Sequence, residues 1–120
     1  MRNKKGYSQL TSVMFDKRFI APILEGRKTV TRRPRKKSHI TEGSTVTLMW
    51  NYSKDGIFAK AKILSCERGK FGDIDEREAR REGFSSLAEL KAYFGGGFSA
   101  SKRIWAIRFT VTKQIGRRTT

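Results

Sequence analysis

The chain has 120 residues with 27 Lys or Arg against 11 Asp or Glu, a formal net charge of +16; a balance that basic favours a polyanionic partner, most often nucleic acid. Eight Phe, two Trp and three Tyr supply core material and exclude a disordered chain, so one domain over residues 1–120 is expected, with short basic tails at about 1–8 and 113–120. One cysteine, Cys66, and one histidine, His39, leave neither an internal disulfide nor an ordinary zinc ligand set, and no apolar run reaches membrane-spanning length, so a cytoplasmic protein without metal or cofactor is expected, monomeric by default.

Residues 10–15, LTSVMF, read as a short strand. Asp16 then offers an N-cap, and Ile20, Ile23 and Leu24 recur at helical spacing. A helix beginning near Phe19 keeps Pro22 in its first turn, and Gly26 closes it. The alternation in KTVTRR reads as extended, and Pro34 biases Arg33 toward extended geometry. A loop over 34–43 follows.

Residues 44–51, STVTLMWN, form a strand with Val46, Leu48 and Trp50 on one face and Thr45, Thr47 and Met49 on the other. Asp55-Gly56 is a hairpin turn signal, and residues 57–66 are the return strand, with Ile57, Ala59, Ala61 and Ile63 sharing a face. A short helix is expected over 75–81 with Gly83 as its stop. The Ser86-x-x-Glu89 pattern opens a second helix through Phe94, with Leu87, Leu90 and Phe94 on one side. Residues 94–98, FGGGF, lack the ending of a phosphate loop and read as a connector that can act as a lid. The last strand carries Trp105, Ile107, Phe109 and Val111 on one face. Strands dominate and short helices lie between them. The class is α+β, mainly β, and the order suggests a small closed or nearly closed barrel with helices packed on it. Both Trp50 and Trp105 fall on apolar faces and are expected in the core. Cys66 ends an apolar run and is expected as a buried structural thiol.

The segment EGRKTVTRRPRKK (25–37) concentrates cations. Arg27, Lys28, Arg32, Arg33, Arg35, Lys36 and Lys37 are its candidate nucleic-acid contacts, since Lys, Arg and Thr are routine phosphate ligands. Glu82, taken by itself, reads equally well as a solvated partner of Arg80 or Arg81.

ILEGRKTVTRR, the strand pair GSTVTLMW and FAKAKIL, EREARREGFSSLAELKAYF and the closing IWAIRFTV together resemble an ASCH domain, a compact β-barrel family related to the PUA domains. The family signature G-x-K-x-x-[E/T]-x-R falls on Gly26, Lys28, Thr31 and Arg33. Within that family the chain is most similar to small single-domain amidohydrolases acting on N4-acetylcytidine, which have Thr in the sixth place and a Glu where EGFSSLAELK has Glu82. The resemblance implies a site of Lys28, Thr31 and Glu82. Amide hydrolysis needs a nucleophile, a base and an acid. Thr31 can be the first only if a neighbouring base activates it, and Lys28 is a base only where burial or nearby cations lower its pKa. Lys28 and Thr31 are three apart, so a regular strand would point them to opposite faces; a bend or bulge is required.

Two functions of different class follow. One is an RNA-binding PUA-like module whose cationic cleft accepts a base or modified nucleoside. The other is an N4-acetylcytidine amidohydrolase, with an ASCH-type ribonuclease as a third reading between them. The +16 charge favours the first, because a free-nucleoside hydrolase does not need it and a protein holding a phosphate backbone does.

Overall fold

The computed structural model describes residues 12–97 and 99–115. The basic ends 1–8 and 116–120, the first two residues of the expected strand over 10–15, and Phe98 lie outside the described residues.

Strand β1 is Ser12–Met14; a 3-10 turn over Lys17–Phe19 runs into helix α1, Ile20–Leu24. Strands β2 (Val30–Arg33) and β3 (Thr45–Met49) follow, then a 3-10 turn over Lys54–Gly56 and the long strand β4, Ile57–Lys70. Helices α2 (Glu76–Arg81) and α3 (Leu87–Phe94) precede the last strand, β5, Arg103–Gln114. The five strands make one mixed sheet in the order β1-β3-β4-β5-β2, with β1 parallel to β3 and the other neighbours antiparallel. Lys113 and Gln114, expected in a tail, are the end of β5 and pair with Lys60 and Ala59.

The mainly-β class with short helices matches the expectation; closure of the barrel does not. Strands β1 and β2 are the two outer strands of the sheet and do not pair with each other. They are three and four residues long, too short to supply a further ladder. Across the seam, Arg33 Nη2 on β2 donates to the Met14 carbonyl on β1 at 2.6 Å.

The core is built by β3, β4 and β5, where Val46, Leu48, Ile63, Ile104 and Ile107 are almost fully excluded from solvent. Burying side chains of this size from opposing strands is the main stabilising term. Trp50 departs from expectation. Strand β3 ends at Met49, beside a register shift, and Trp50 sits at the surface, 36% exposed, with the Lys17 ammonium over its ring at 4.8 Å. Trp105 is half-buried against the core. Cys66 is also half-buried; its thiol lies 3.6 Å from the Ile40 carbonyl, and burial pushes its pKa up, so it is not an activated nucleophile.

Helix α2 starts where the sequence signals it: Asp75 Oδ1 accepts from Glu78 N at 2.8 Å. It stops at Gly83, whose φ of +99° only glycine adopts without strain. That reversal turns Glu82 inward, and it is 2% exposed. At α3, Ser86 Oγ accepts from Glu89 N at 3.0 Å, but Glu89 Oε1 accepts from Ser85 N and Ser85 Oγ, so the expected capping box is only half made. Phe19 meets Phe84 and Tyr93 edge-on and those two rings meet at a tilt, with centroids 5.3–5.6 Å apart, which ties the turn before α1, the α2–α3 connection and α3 together. No helix among the described residues is long and apolar enough to cross a membrane.

The Asp75 cap fixes the start of the helix that delivers Glu82. Asp75→Ala should cost about 1 kcal/mol, read as a lower urea midpoint at unchanged denaturant slope.

Candidate active site

The Pro22 carbonyl accepts from both Arg27 N and Lys28 N, at 2.9 and 3.0 Å, and so draws the chain tightly around the end of α1. Strand β2 begins only at Val30. Lys28 therefore lies outside the strand and is free of its alternation, which is how it shares a pocket with Thr31. No bulge in β2 is needed.

The Lys28 side chain runs inward and is 3% exposed. Its Nζ donates to the carbonyls of Val30 and Glu82, at 3.0 and 2.7 Å, and to Glu82 Oε1 at 3.2 Å. The Phe19 ring faces the ammonium at 4.5 Å. Burial lowers the Lys28 pKa to about 8; the Glu82 carboxylate opposes the shift, and the Arg33 and Arg32 charges add to it. Gly83 makes the approach possible: a Cβ there would lie 3.3 Å from Lys28 Cβ and 3.5 Å from the Phe19 ring.

Glu82 is held from its other side by Arg32 Nη1, 3.0 Å from Oε2. Arg32 Nη2 in turn meets Glu78 Oε1 at 2.6 Å, and Glu78 also accepts from Arg108 and Arg81, each at 2.8 Å. Partial burial raises the Glu78 pKa, but the bonds from Arg32, Arg108 and Arg81 outweigh it and hold the carboxyl at about 2. The result is a chain of alternating charge from Lys28 outward through Glu82, Arg32 and Glu78. Arg81, half-exposed, ends it at the surface.

Thr31 is also buried, and its Oγ1 accepts from Arg33 Nε at 3.0 Å. Lys28, Thr31, Arg33 and Glu82 line one cavity of about 290 Å³ at the β1–β2 seam, walled by the aromatic rings of Phe15, Phe19, Phe84 and Tyr93. The Tyr93 hydroxyl donates to Asp16 Oδ2, and burial with that carboxylate pushes its pKa to about 12. Phe94, at the start of the glycine run, is part of the same wall.

The remaining cations of the basic segment divide. Arg27 is exposed and paired to Glu25 at 2.7 Å. Arg35 and Lys37 are exposed, and Lys36 is half-buried with its Nζ donating to the Ile40 carbonyl at 2.9 Å. Arg32 faces inward with its guanidinium committed to two carboxylates, which removes it from the surface cations. Sequence reasoning missed Glu78, Arg108 and the Phe84–Tyr93 wall. Glu78 was findable, since it stands four residues before Glu82 and so on the same side of a helical turn; Arg108 was not, because strand pairing alone brings it there.

The protein named N(4)-acetylcytidine amidohydrolase from Vibrio vulnificus is 30% identical to this chain over 99 residues, covering 82% of this chain and 93% of that one. Its namesake from Klebsiella pneumoniae is 30% identical over 101 residues, 84% and 96% of the two chains. The chain belongs to the N(4)-acetylcytidine amidohydrolase family. Solved structures agree on the fold of this family member. An ASCH domain from Lactobacillus crispatus matches with a TM-score of 0.67 at 17% identity, covering 91% of this chain and 83% of that one. A variant ASCH protein from Zymomonas mobilis matches at 0.65 and 19%, covering 88% and 71%. No protein-family model matches the chain.

In this N(4)-acetylcytidine amidohydrolase family member the Glu78 carboxyl is depressed from 4.5 to about 2 on folding. Its contribution is present in full above pH 4.5 and lost as pH falls toward 2. With solvent screening at its open edge allowed for, Glu78→Gln should destabilise by about 2 kcal/mol at pH 7. The gap between variant and parent should narrow steadily below pH 4.5 in urea titrations.

Proposed function

We propose that the chain hydrolyses the N4-acyl amide of an acetylated cytidine, with Lys28, Thr31 and Glu82 as the working groups. The observation that carries this reading is the convergence of a buried lysine of lowered pKa, a buried threonine and a buried glutamate on one aromatic-walled cavity. The names of the relatives support the substrate class.

Neutral Lys28 takes the proton of Thr31 as Oγ1 bonds to the acyl carbon. The resulting ammonium is next to the carboxylate that holds it, and returns the proton to the departing cytosine N4 as the C–N bond breaks. Water then attacks the acyl-threonine carbonyl and loses a proton to Lys28, which passes it to Thr31 Oγ1 as the acyl–oxygen bond breaks. Acetic acid leaves and gives its proton to solvent, so that neutral Lys28 and the Thr31 hydroxyl are restored. Arg33 Nε already donates to Thr31 Oγ1, so it fixes the hydroxyl and favours its developing negative charge. Glu82 keeps Lys28 in place through Oε1 while Arg32 occupies Oε2. The rings of Phe19, Phe84 and Tyr93 offer apolar walls to a planar base. RNA binding is the second reading, favoured by the +16 charge and by Arg35 and Lys37 standing exposed just beyond Pro34, which lines the cavity.

Incubation with N4-acetylcytidine should release cytidine and acetate in equal amounts. Lys28→Met, which keeps the packing, and Thr31→Ala should each lower kcat/KM by at least roughly 100-fold. The rate should climb with pH through a midpoint near 8, as Lys28 loses its proton. No turnover by the parent chain, or turnover that survives Lys28→Met, would overturn the assignment.

A further inference from the structure

The ladder between β4 and β5 sets Arg68 opposite Trp105 and Lys70 opposite Arg103. Residues two apart on a strand share a face, so these four form one block of three cations around an indole. Like charges placed directly across a ladder destabilise a sheet. No ion pair among the described residues includes Arg68, Lys70 or Arg103, and all three are exposed. The carboxylates nearby are Glu67, Asp73 and Glu78; Glu78 is committed to Arg32, Arg108 and Arg81, and Asp73 Oδ2 is turned to the Lys70 backbone N–H at 3.3 Å. Of the three, Arg68 rests on Trp105, its guanidinium 5.5 Å from the ring centre, and the Lys36 ammonium lies 5.4 Å from the same ring.

The block is joined to the catalytic cavity. Arg33, which lines that cavity, pairs with Trp105 across β2 and β5, so Arg33, Trp105 and Arg68 form a row across three strands. Two strand spacings are roughly 10 Å, a span a few nucleotides cover. Arg68 and Lys70 also line a second hollow of about 220 Å³, and Arg32 belongs to the walls of both.

We propose that this block grips the phosphate backbone of single-stranded RNA, so that the cavity receives acetylated cytidines carried in a strand as well as free ones. The substrate class rests on the hydrolase reading above; the backbone site does not. The strand must be single because N4 lies on the pairing edge of cytosine, and a base has to leave its stack to enter a walled cavity. A free nucleoside has no phosphate to neutralise three cations that no carboxylate among the described residues pairs with.

Two measurements test this. Fluorescence anisotropy with an unmodified single-stranded RNA oligonucleotide should give binding that weakens steeply with salt. In the Lys70→Ser/Arg103→Ser double variant the slope of log K against log salt should shrink by roughly 1.4, at about 0.7 per lost phosphate contact. Thermal stability should hold or rise, since a repulsive pair is removed. Turnover of an oligonucleotide with one N4-acetylcytidine should then fall at least tenfold in that variant, with turnover of the free nucleoside unchanged. RNA binding that is insensitive to salt, or equal in parent and variant, or no tighter than to an RNA duplex, would overturn the backbone site. Variant-insensitive turnover of the oligonucleotide would overturn the role of the block in presenting the strand to the cavity, and turnover of the free nucleoside with none of the oligonucleotide would overturn the substrate class. If the parent chain turned over neither substrate while RNA binding stayed dependent on Lys70 and Arg103, the hydrolase reading and the substrate class would fall and the backbone site would stand.

Discussion

An ammonium group buried in the seam of a sheet is the constraint that organises this molecule. Lys28 Nζ is shut away from water, and every donor it has must find an acceptor. Two backbone carbonyls and the Glu82 carboxylate meet that need. The carboxylate then requires its own partner, which Arg32 supplies, and Arg32 requires Glu78. Each buried charge recruits the next until the chain reaches Arg81 and Arg108, which water can reach. Removing one partner from such a chain leaves an uncompensated charge in a poorly hydrated place, a heavier loss than the pair's own attraction.

The same chain explains why the sheet stays open. A ladder between β1 and β2 would fill the place where Lys28, Thr31 and Glu82 meet. The seam is held instead by side chains, with Arg33 reaching Met14 and the aromatic cluster of α1 and α3 covering it. The groups along this seam are dry, and dryness is what lowers the Lys28 pKa to about 8. Fold and proton affinity share one cause: the side chains that hold the seam in place of backbone pairing also remove the lysine from water.

Charge is spent in two ways on this chain. Part of the basic segment turns inward, where Arg32 and Lys28 answer carboxylates, and part stays outside as Arg35 and Lys37. A run of cations in sequence reads as one surface, yet its members lie on different sides of an edge strand. Arg68, Lys70 and Arg103 come from distant segments that look ordinary one at a time and become a block only through the β4–β5 register.

Local physics was legible from the sequence. Alternation located β3, β4 and β5, Asp75 and Ser86 announced the starts of α2 and α3, and Gly83 its stop, because these signals act over a few residues. Lys28, Thr31 and Glu82 came from a family likeness, and their residue types alone left a phosphate strip and a solvated glutamate equally good readings. Trp50 misled, since alternation does not say where a strand ends, and the register shift beside Met49 lies between strands. Sequence by itself determined the strands, the caps and the sign of the charge, all of which follow from neighbours along the chain. Only the tertiary structure decided which cations are buried, that the barrel stays open, and that Glu82 is turned to Lys28 and not to Arg80 or Arg81, because burial and pairing between segments 54 residues apart depend on how the whole sheet is wound.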